Sequence, residues 1–191
     1  MALDPALKEK LAQLAPEQRY RYYARRIATK YGIDPDVYEA QVQAESAWNP
    51  SAKSEQDARG LAQVLPSTAA QYGVTPDQLN DPVIGLDTGA KHLRALLDKY
   101  QGDIPTAVLA YHQGEGNVDA GTIGPKGKAY QQKVLGLAEQ FKAAAPKPQM
   151  AAAPSEAAAP PADTTAPSDV EQPFVRPEDM SNVAPPQPPE A

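Results

Sequence analysis

Glu45 is the residue whose type and position most directly suggest chemistry. In the stretch DPDVYEAQVQAES the inward helical stripe reads Val37, Tyr38, Gln41 and Val42, and Glu45 continues it, four residues beyond Gln41 and three beyond Val42. A carboxyl group therefore stands at the C-terminal end of a buried face. Burial disfavours its charged form, and the partial negative charge of the helix end pushes its pKa the same way. Such a group can hold a proton near neutral pH and act as a general acid. The same spacing also fits a carboxylate that frays outward at its helix end. The 191 residues contain no cysteine and two histidines, which excludes thiol nucleophiles, thiolate zinc sites and disulfides and leaves little for a histidine-rich metal site. No metal or cofactor is expected.

Helices must position that carboxyl group. Asp4-Pro5 reads as the start of a leading amphipathic helix within residues 1–15, with Leu7, Leu11 and Leu14 on one face. Pro16 opens a second helix, in which Tyr20, Tyr23, Ala24, Ile27, Ala28 and Tyr31 recur at helical steps until Gly32. Asp34-Pro35 starts the third, which runs to about Ala47. Further helices are predicted from Pro66 to Tyr72, from Asp81-Pro82 to Gly102, from Asp103 to Gly114 and from about Lys128 to Phe141. No alternating strand pattern of useful length is present. The sequence predicts an all-α domain over residues 16–143, with helices too uneven for a regular bundle.

Three more segments carry polar groups that could serve a site. The loop PSAKSEQDARGLAQVLPSTA sets Ser54, Gly60, Gln63 and Thr68 before a proline-started helix, although loops between helices often have this composition. ALAYHQGEG puts Tyr111 at a helix end followed by two glycines, where a phenol can reach a carboxyl group and backbone can approach a ligand. Taken singly, Tyr111 and Tyr130 also read as core tyrosines.

In this order the segments resemble the soluble lytic transglycosylases, relatives of goose-type lysozyme. The resemblance rests on Glu45-Ser46, Pro50, Ala52, Ser54, Gly60-Leu61-Ala62-Gln63, Pro66 with Thr68, Gly89 with Leu93, Ala110-Tyr111-His112-Gln113-Gly114 and Tyr130, and it spans Ala24 to Phe141. It implies a lysozyme-like fold and peptidoglycan glycan strands as substrate. Glu45 is then the acid/base, with Ser54, Gln63, Thr68 and His112 along the glycan groove. Tyr111 positions Glu45, Tyr130 lines the cleft, and Ser46, Gly60 and Leu61 support the site. The pattern is broken by Asp57-Ala58 where Gly-Ala is usual, by Gly85 where asparagine is common, and by His112 where Ala-Tyr-Asn has its asparagine. An amide that could hold an N-acetyl group is thus replaced by an imidazole.

The resemblance implies cleavage of the MurNAc-β-1,4-GlcNAc bond with formation of a 1,6-anhydro ring by one glutamate used first as acid and then as base. Most glycosidases use two carboxylates, and Asp57 and Glu115 are the nearby candidates for a second. Hydrolysis of lysozyme type, a groove that binds peptidoglycan without cutting it, and a virion ejection protein are the competing readings. AYHQGEGNV, with no signal peptide read at the start, also resembles the transglycosylase domains of internal virion proteins of short-tailed bacteriophages. That resemblance implies action in the periplasm or wall after delivery by a phage particle or a dedicated secretion apparatus.

Charge and composition divide the chain. Up to Ala143 there are 16 Lys/Arg against 17 Asp/Glu, and from Ala144 onward 2 against 7, so neither part carries the cationic excess that nucleic acid or an anionic membrane surface requires. No stretch is long and apolar enough to span a bilayer. The 21 prolines and the mean hydropathy of -0.54 are unusual for a domain that fills the whole length, and 12 of the prolines fall in residues 144–191, a Pro/Ala-rich acidic tail read as disordered. It reads as a solvated tether with no recognition role or, in its EQPFVRPEDM segment, as a short docking motif for a virion or secretion-apparatus partner.

Overall fold

Proline and aspartate set most of the helix starts. The computed structural model describes residues 5–144 and is all-helical, with no strand among the described residues beyond isolated bridges that pair Arg59 with Lys53 and Val64. The helices are α1 (Pro5–Ala12), α2 (Pro16–Lys30), α3 (Pro35–Ser46), α4 (Pro66–Gln71), α5 (Pro82–Lys99), α6 (Ile104–Gln113), α7 (Glu115–Asp119) and α8 (Pro125–Ala144). Proline fixes φ near the helical value and lacks the N–H that a first turn leaves unpaired. Asp34 and Asp81 cap their helices, Asp34 accepting from the Asp36 N–H at 2.9 Å and Asp81 from those of Val83 and Ile84 at 2.9 and 3.0 Å. Asp103 stands at the expected cap position, but its carboxylate accepts the Thr106 hydroxyl instead of a backbone N–H. Asp4, the tail after residue 144 and the EQPFVRPEDM segment lie outside the described residues.

Helix α3 is the centre of the fold. Every residue from Val37 to Val42 is buried, because α2 and α8 pack along the helix and Tyr38 reaches α5, where its hydroxyl donates to the Leu86 carbonyl. Tyr38 and Val42 join Ala24, Leu86, Leu93 and Ala107 in the main core, while Val37 and Ala40 meet Val108, Tyr130 and Val134 in a second cluster. Each fully buried Leu or Val contributes about 1.5–3 kcal/mol. The buried Glu39 is neutralised by Arg21 and Arg25 of α2, each at 2.7 Å, so the one charge on the inner part of α3 also fastens it to α2.

Two elements were not expected from the sequence. A 3-10 turn, Asp77–Asn80, plants Leu79 in a small cluster with Ala62, Val64 and Ala69. Helix α7 has no buried residue; it is held by Lys99, which pairs with Glu115 at 2.7 Å and Asp119 at 2.6 Å, and by Val118 against the main core. Helix α8 starts at Pro125, ahead of the expected Lys128, with proline at its first position; Gly127 in that first turn leaves room for the Gln113 side chain, where a Cβ would come within 2.2 Å of Gln113 Cδ.

Gly60 and Gly32 both have left-handed backbone, with φ of 74° and 62°, but a Cβ at Gly60 would lie 2.0 Å from the Leu79 carbonyl oxygen, whereas one at Gly32 meets nothing within 4 Å. Gly32→Ala is therefore expected to cost about 1–2 kcal/mol, the left-handed penalty alone. Gly60→Ala carries a backbone clash besides and should cost more. Urea unfolding of the two variants compares them directly, and equal losses would refute the close approach of Leu79.

Candidate active site

The last turn of α3 opens into a groove of about 460 Å³. Glu45 forms one side; the following loop supplies Ser54, Glu55, Gln56, Ala58, Gln63 and Leu65; α6 supplies Tyr111 and His112; and Lys126 comes from the first turn of α8. The chain turns away after Ser46 through two consecutive left-handed residues, Ala47 and Trp48, with φ of 47° and 65°. Such a corner is costly for residues with a Cβ and needs an anchor. Trp48 is the anchor: it is buried, donates its indole N–H to Gln43 Oε1 at 2.6 Å and lies under the Arg21 guanidinium at 4.8 Å.

Glu45 accepts a 2.6 Å hydrogen bond on Oε1 from the Tyr130 hydroxyl. Burial pushes its pKa up to about 7, and the Tyr130 bond and the Lys133 ammonium, both of which favour the anion, hold it from going higher. Lys133 sits one turn beyond Tyr130 on α8 with its amine 3.5 Å from the Ala44 carbonyl. Burial, and secondarily the Glu45 charge, raises Tyr130 well above the ordinary tyrosine range, so it remains a donor at neutral pH. The His112 ring stacks on that of Tyr130, with centroids 4.1 Å apart and planes 9° from parallel. Burial lowers the pKa of His112, leaving it uncharged at pH 7.

The two tyrosines make the opposite contacts to those expected. The Tyr111 hydroxyl donates to the Ala62 carbonyl at 2.8 Å, not to Glu45. It lies at the α6 end beside the Gly60–Val64 turn, and Gly89 provides the room, since a Cβ there would come within 3.0 Å of both the Tyr111 and Tyr38 hydroxyls. Tyr130, expected on the cleft wall, lies behind it: α8 packs along α3 and brings this phenol beneath Glu45. Gln63 borders the groove, but its side-chain N–H groups donate to the Ala52 and Gly60 carbonyls at 3.0 Å each and brace the loop. Ser54 borders it too, its hydroxyl oxygen accepting from the Ala58 N–H at 3.0 Å.

Thr68 on α4 does not border the groove, and neither do Ser46, Gly60 and Leu61. Ser46 donates back to the Val42 carbonyl at 3.3 Å, and Leu61 is fully buried in the core. The two acids considered as second carboxylates are engaged elsewhere, Asp57 with Lys53 and Arg59, Glu115 with Lys99. The other carboxylate bordering the groove is Glu55, which sequence reasoning missed along with Gln56, Leu65 and Lys126; none stands in a periodic pattern that would have marked it.

Residues 22–133 match the family model described as the transglycosylase SLT domain. A transglycosylase of Enterobacteria phage PRD1 is 41% identical over 108 residues, which are 56% of this chain and 38% of that protein. Among solved structures, the 70-kDa soluble lytic transglycosylase of Escherichia coli is similar at 24% identity with a TM-score of 0.58, over 72% of this chain and 26% of that one. An inactive mutant of the lytic transglycosylase Slt from Pseudomonas aeruginosa gives 23% identity and the same TM-score of 0.58, over 65% and 25%. A complex of the 70-kDa soluble lytic transglycosylase with bulgecin A gives 23% and 0.59, over 72% and 26%. These likenesses establish the fold. This chain spans 38% of the phage relative and about a quarter of the solved enzymes.

The raised pKa of Glu45 has a consequence for stability. Below pH 4.5 the folded and unfolded chains both carry the proton; between 4.5 and 7 the unfolded chain releases it first, so stability falls with rising pH through this window and levels off above it. A neutral side chain at position 45 avoids that loss, which is of order 3 kcal/mol. Glu45→Gln is therefore expected to resist urea better than the unaltered chain at pH 8, with the gap closing toward pH 4. A gap of the same size at both pH values would contradict the desolvation of Glu45.

Proposed function

Because the chain belongs to the transglycosylase SLT domain family, we propose that it is a peptidoglycan lytic transglycosylase in which Glu45 serves as both acid and base. The observation that carries this reading is a single desolvated carboxyl group beside an open groove, with a pKa near 7 and a phenol fixed to it. Near neutral pH both of its protonation states are accessible, as a group used twice requires. Protonated Glu45 gives its proton to the oxygen leaving C1 of muramic acid as that C1–O bond breaks. The substrate's own acetamido group or the dipoles around the site stabilise the oxocarbenium-like carbon. The glutamate anion then takes the proton of the C6 hydroxyl of the same sugar, O6 bonds to C1, and a 1,6-anhydro ring closes. No water enters the balance.

Tyr130 supports the second half. Its hydrogen bond favours the anion, so it stabilises Glu45 in the interval between giving up one proton and accepting the next. The PRD1 relative supports the same activity and, as a phage protein, supports arrival at the wall with a virion. The Pro/Ala-rich sequence after residue 144 has the composition of a tether to such a carrier.

A second reading, hydrolysis, is favoured by one observation: Glu55 also borders the groove and could activate water. Mass spectrometry of soluble products from purified peptidoglycan separates the two. The expected products carry 1,6-anhydromuramic acid, fall by about 10²-fold or more in Glu45→Gln and persist in Glu55→Gln. Reducing-end muramic acid that disappears in Glu55→Gln would instead establish the hydrolase, and undiminished cleavage by Glu45→Gln would refute both.

A further inference from the structure

His112 stands where the family pattern has an asparagine, so whatever that amide does elsewhere, an aromatic ring does here. Its imidazole lies nearly parallel to the Tyr130 ring at 4.1 Å, and Tyr130 in turn holds Glu45 at 2.6 Å. Tyr130 does not border the groove whereas His112 does, so the imidazole lies between the phenol ring and the open space. Val37, Val108 and Val134 belong to the cluster that encloses the rest of that tyrosine. Among the described residues no group hydrogen-bonds to the ring nitrogens of His112, so stacking is the contact that this side chain makes with the site.

We propose that His112 is a positioning residue: its flat contact keeps the Tyr130 ring from tipping, and so keeps the phenol aligned on Glu45, while its bulk denies water a path to that carboxyl group. The proposal rests on the reading of Glu45 as the catalytic acid.

Contact and exclusion, rather than charge, carry the effect. The titratable groups around Glu45 are Tyr130, Lys133 and Lys126 from α8, Tyr111 and His112 from α6, and Glu55 from the loop. Lys133 is the cation that acts on Glu45, and His112 is neutral at pH 7. A small side chain at position 112 would uncover the phenol, let it swing, and admit water to the carboxyl group. Loss of the phenol bond alone would raise the Glu45 pKa, but burial is the largest influence on it, so rehydration outweighs that loss and moves Glu45 back toward its ordinary pKa of 4.5.

The test uses the full chain with His112→Ala, His112→Asn and His112→Phe. Glu45 is titrated by its ¹³C carboxyl shift without substrate, and kcat and KM are followed against pH on soluble glycan strands. Removing the ring, with Ala or Asn, is expected to lower the Glu45 pKa by about one unit, move the alkaline limb of kcat by the same amount and reduce kcat at pH 8 by up to about tenfold with little change in KM. Phe, which keeps a flat ring and has no nitrogens, is expected to stay close to the unaltered enzyme in all three. An unshifted Glu45 titration in both Ala and Asn variants overturns the proposal. So does a Phe variant as impaired as Ala, because the nitrogens would then be what matters. A shifted titration with an unmoved kcat limb overturns the acid role of Glu45 itself and leaves the ring contact standing, so the two failures are distinguishable.

Discussion

The inner two turns of α3 have no face toward solvent, and the chemistry at its end depends on that constraint. A helix covered on both sides carries its low-dielectric surroundings to its last turn, and Glu45 is the residue that meets the groove there. The desolvation that raises the pKa of the carboxyl group is also a strain on the folded state, since an ionised group in that position is poorly solvated. Tyr130 and Lys133 limit the strain without removing it. Arg21 sustains the arrangement from the other side: it pairs with Glu39, accepts the Trp48 ring against its guanidinium and hydrogen-bonds Gln43 at 2.9 Å. One cation thus fixes both the buried stretch of α3 and the corner that releases the chain beyond it.

Much of this was legible in the residues. Helix starts were readable because proline and aspartate act locally, as Asp34-Pro35 and Asp81-Pro82 illustrate, and Glu45 was readable because it extends an apolar stripe. What escaped notice depends on partners distant in sequence. Helix α7 is five residues long and contains Gly116, and it is held by Lys99 from α5. The contacts of Tyr111 and Tyr130 depend on how α6 and α8 lean on their neighbours, which no spacing encodes. Glu55 was overlooked beside Asp57 because both are acids of one loop; their difference is that Asp57 is neutralised by Arg59 and Lys53.

The three departures from the family pattern have different physical grounds. Asp57 occupies a left-handed conformation, φ 64°, where glycine is the easy choice, and aspartate is among the side chains that tolerate it. Its pairing with Arg59 and Lys53 gives the substitution a local compensation. At Gly85 a Cβ would lie 2.6 Å from the Leu79 carbonyl oxygen, so this chain trades an asparagine for closer approach of the 3-10 turn. His112 exchanges a hydrogen-bonding amide for a stacking ring. None of the three removes Glu45, its phenol or the groove.

The groove is not equally stiff all round. Glu45 stands on a helix locked in apolar packing, which salt hardly affects. The segment that joins α6 to α8, between His112 and Lys126, is fastened through α7 by Lys99 clasping two carboxylates at the surface, with Val118 as its apolar foothold. Surface charge pairs weaken as counterions accumulate, within a screening length of about 8 Å at physiological ionic strength. The groove therefore has a stiff side that carries Glu45 and, beside it, a connecting segment whose hold loosens as salt rises.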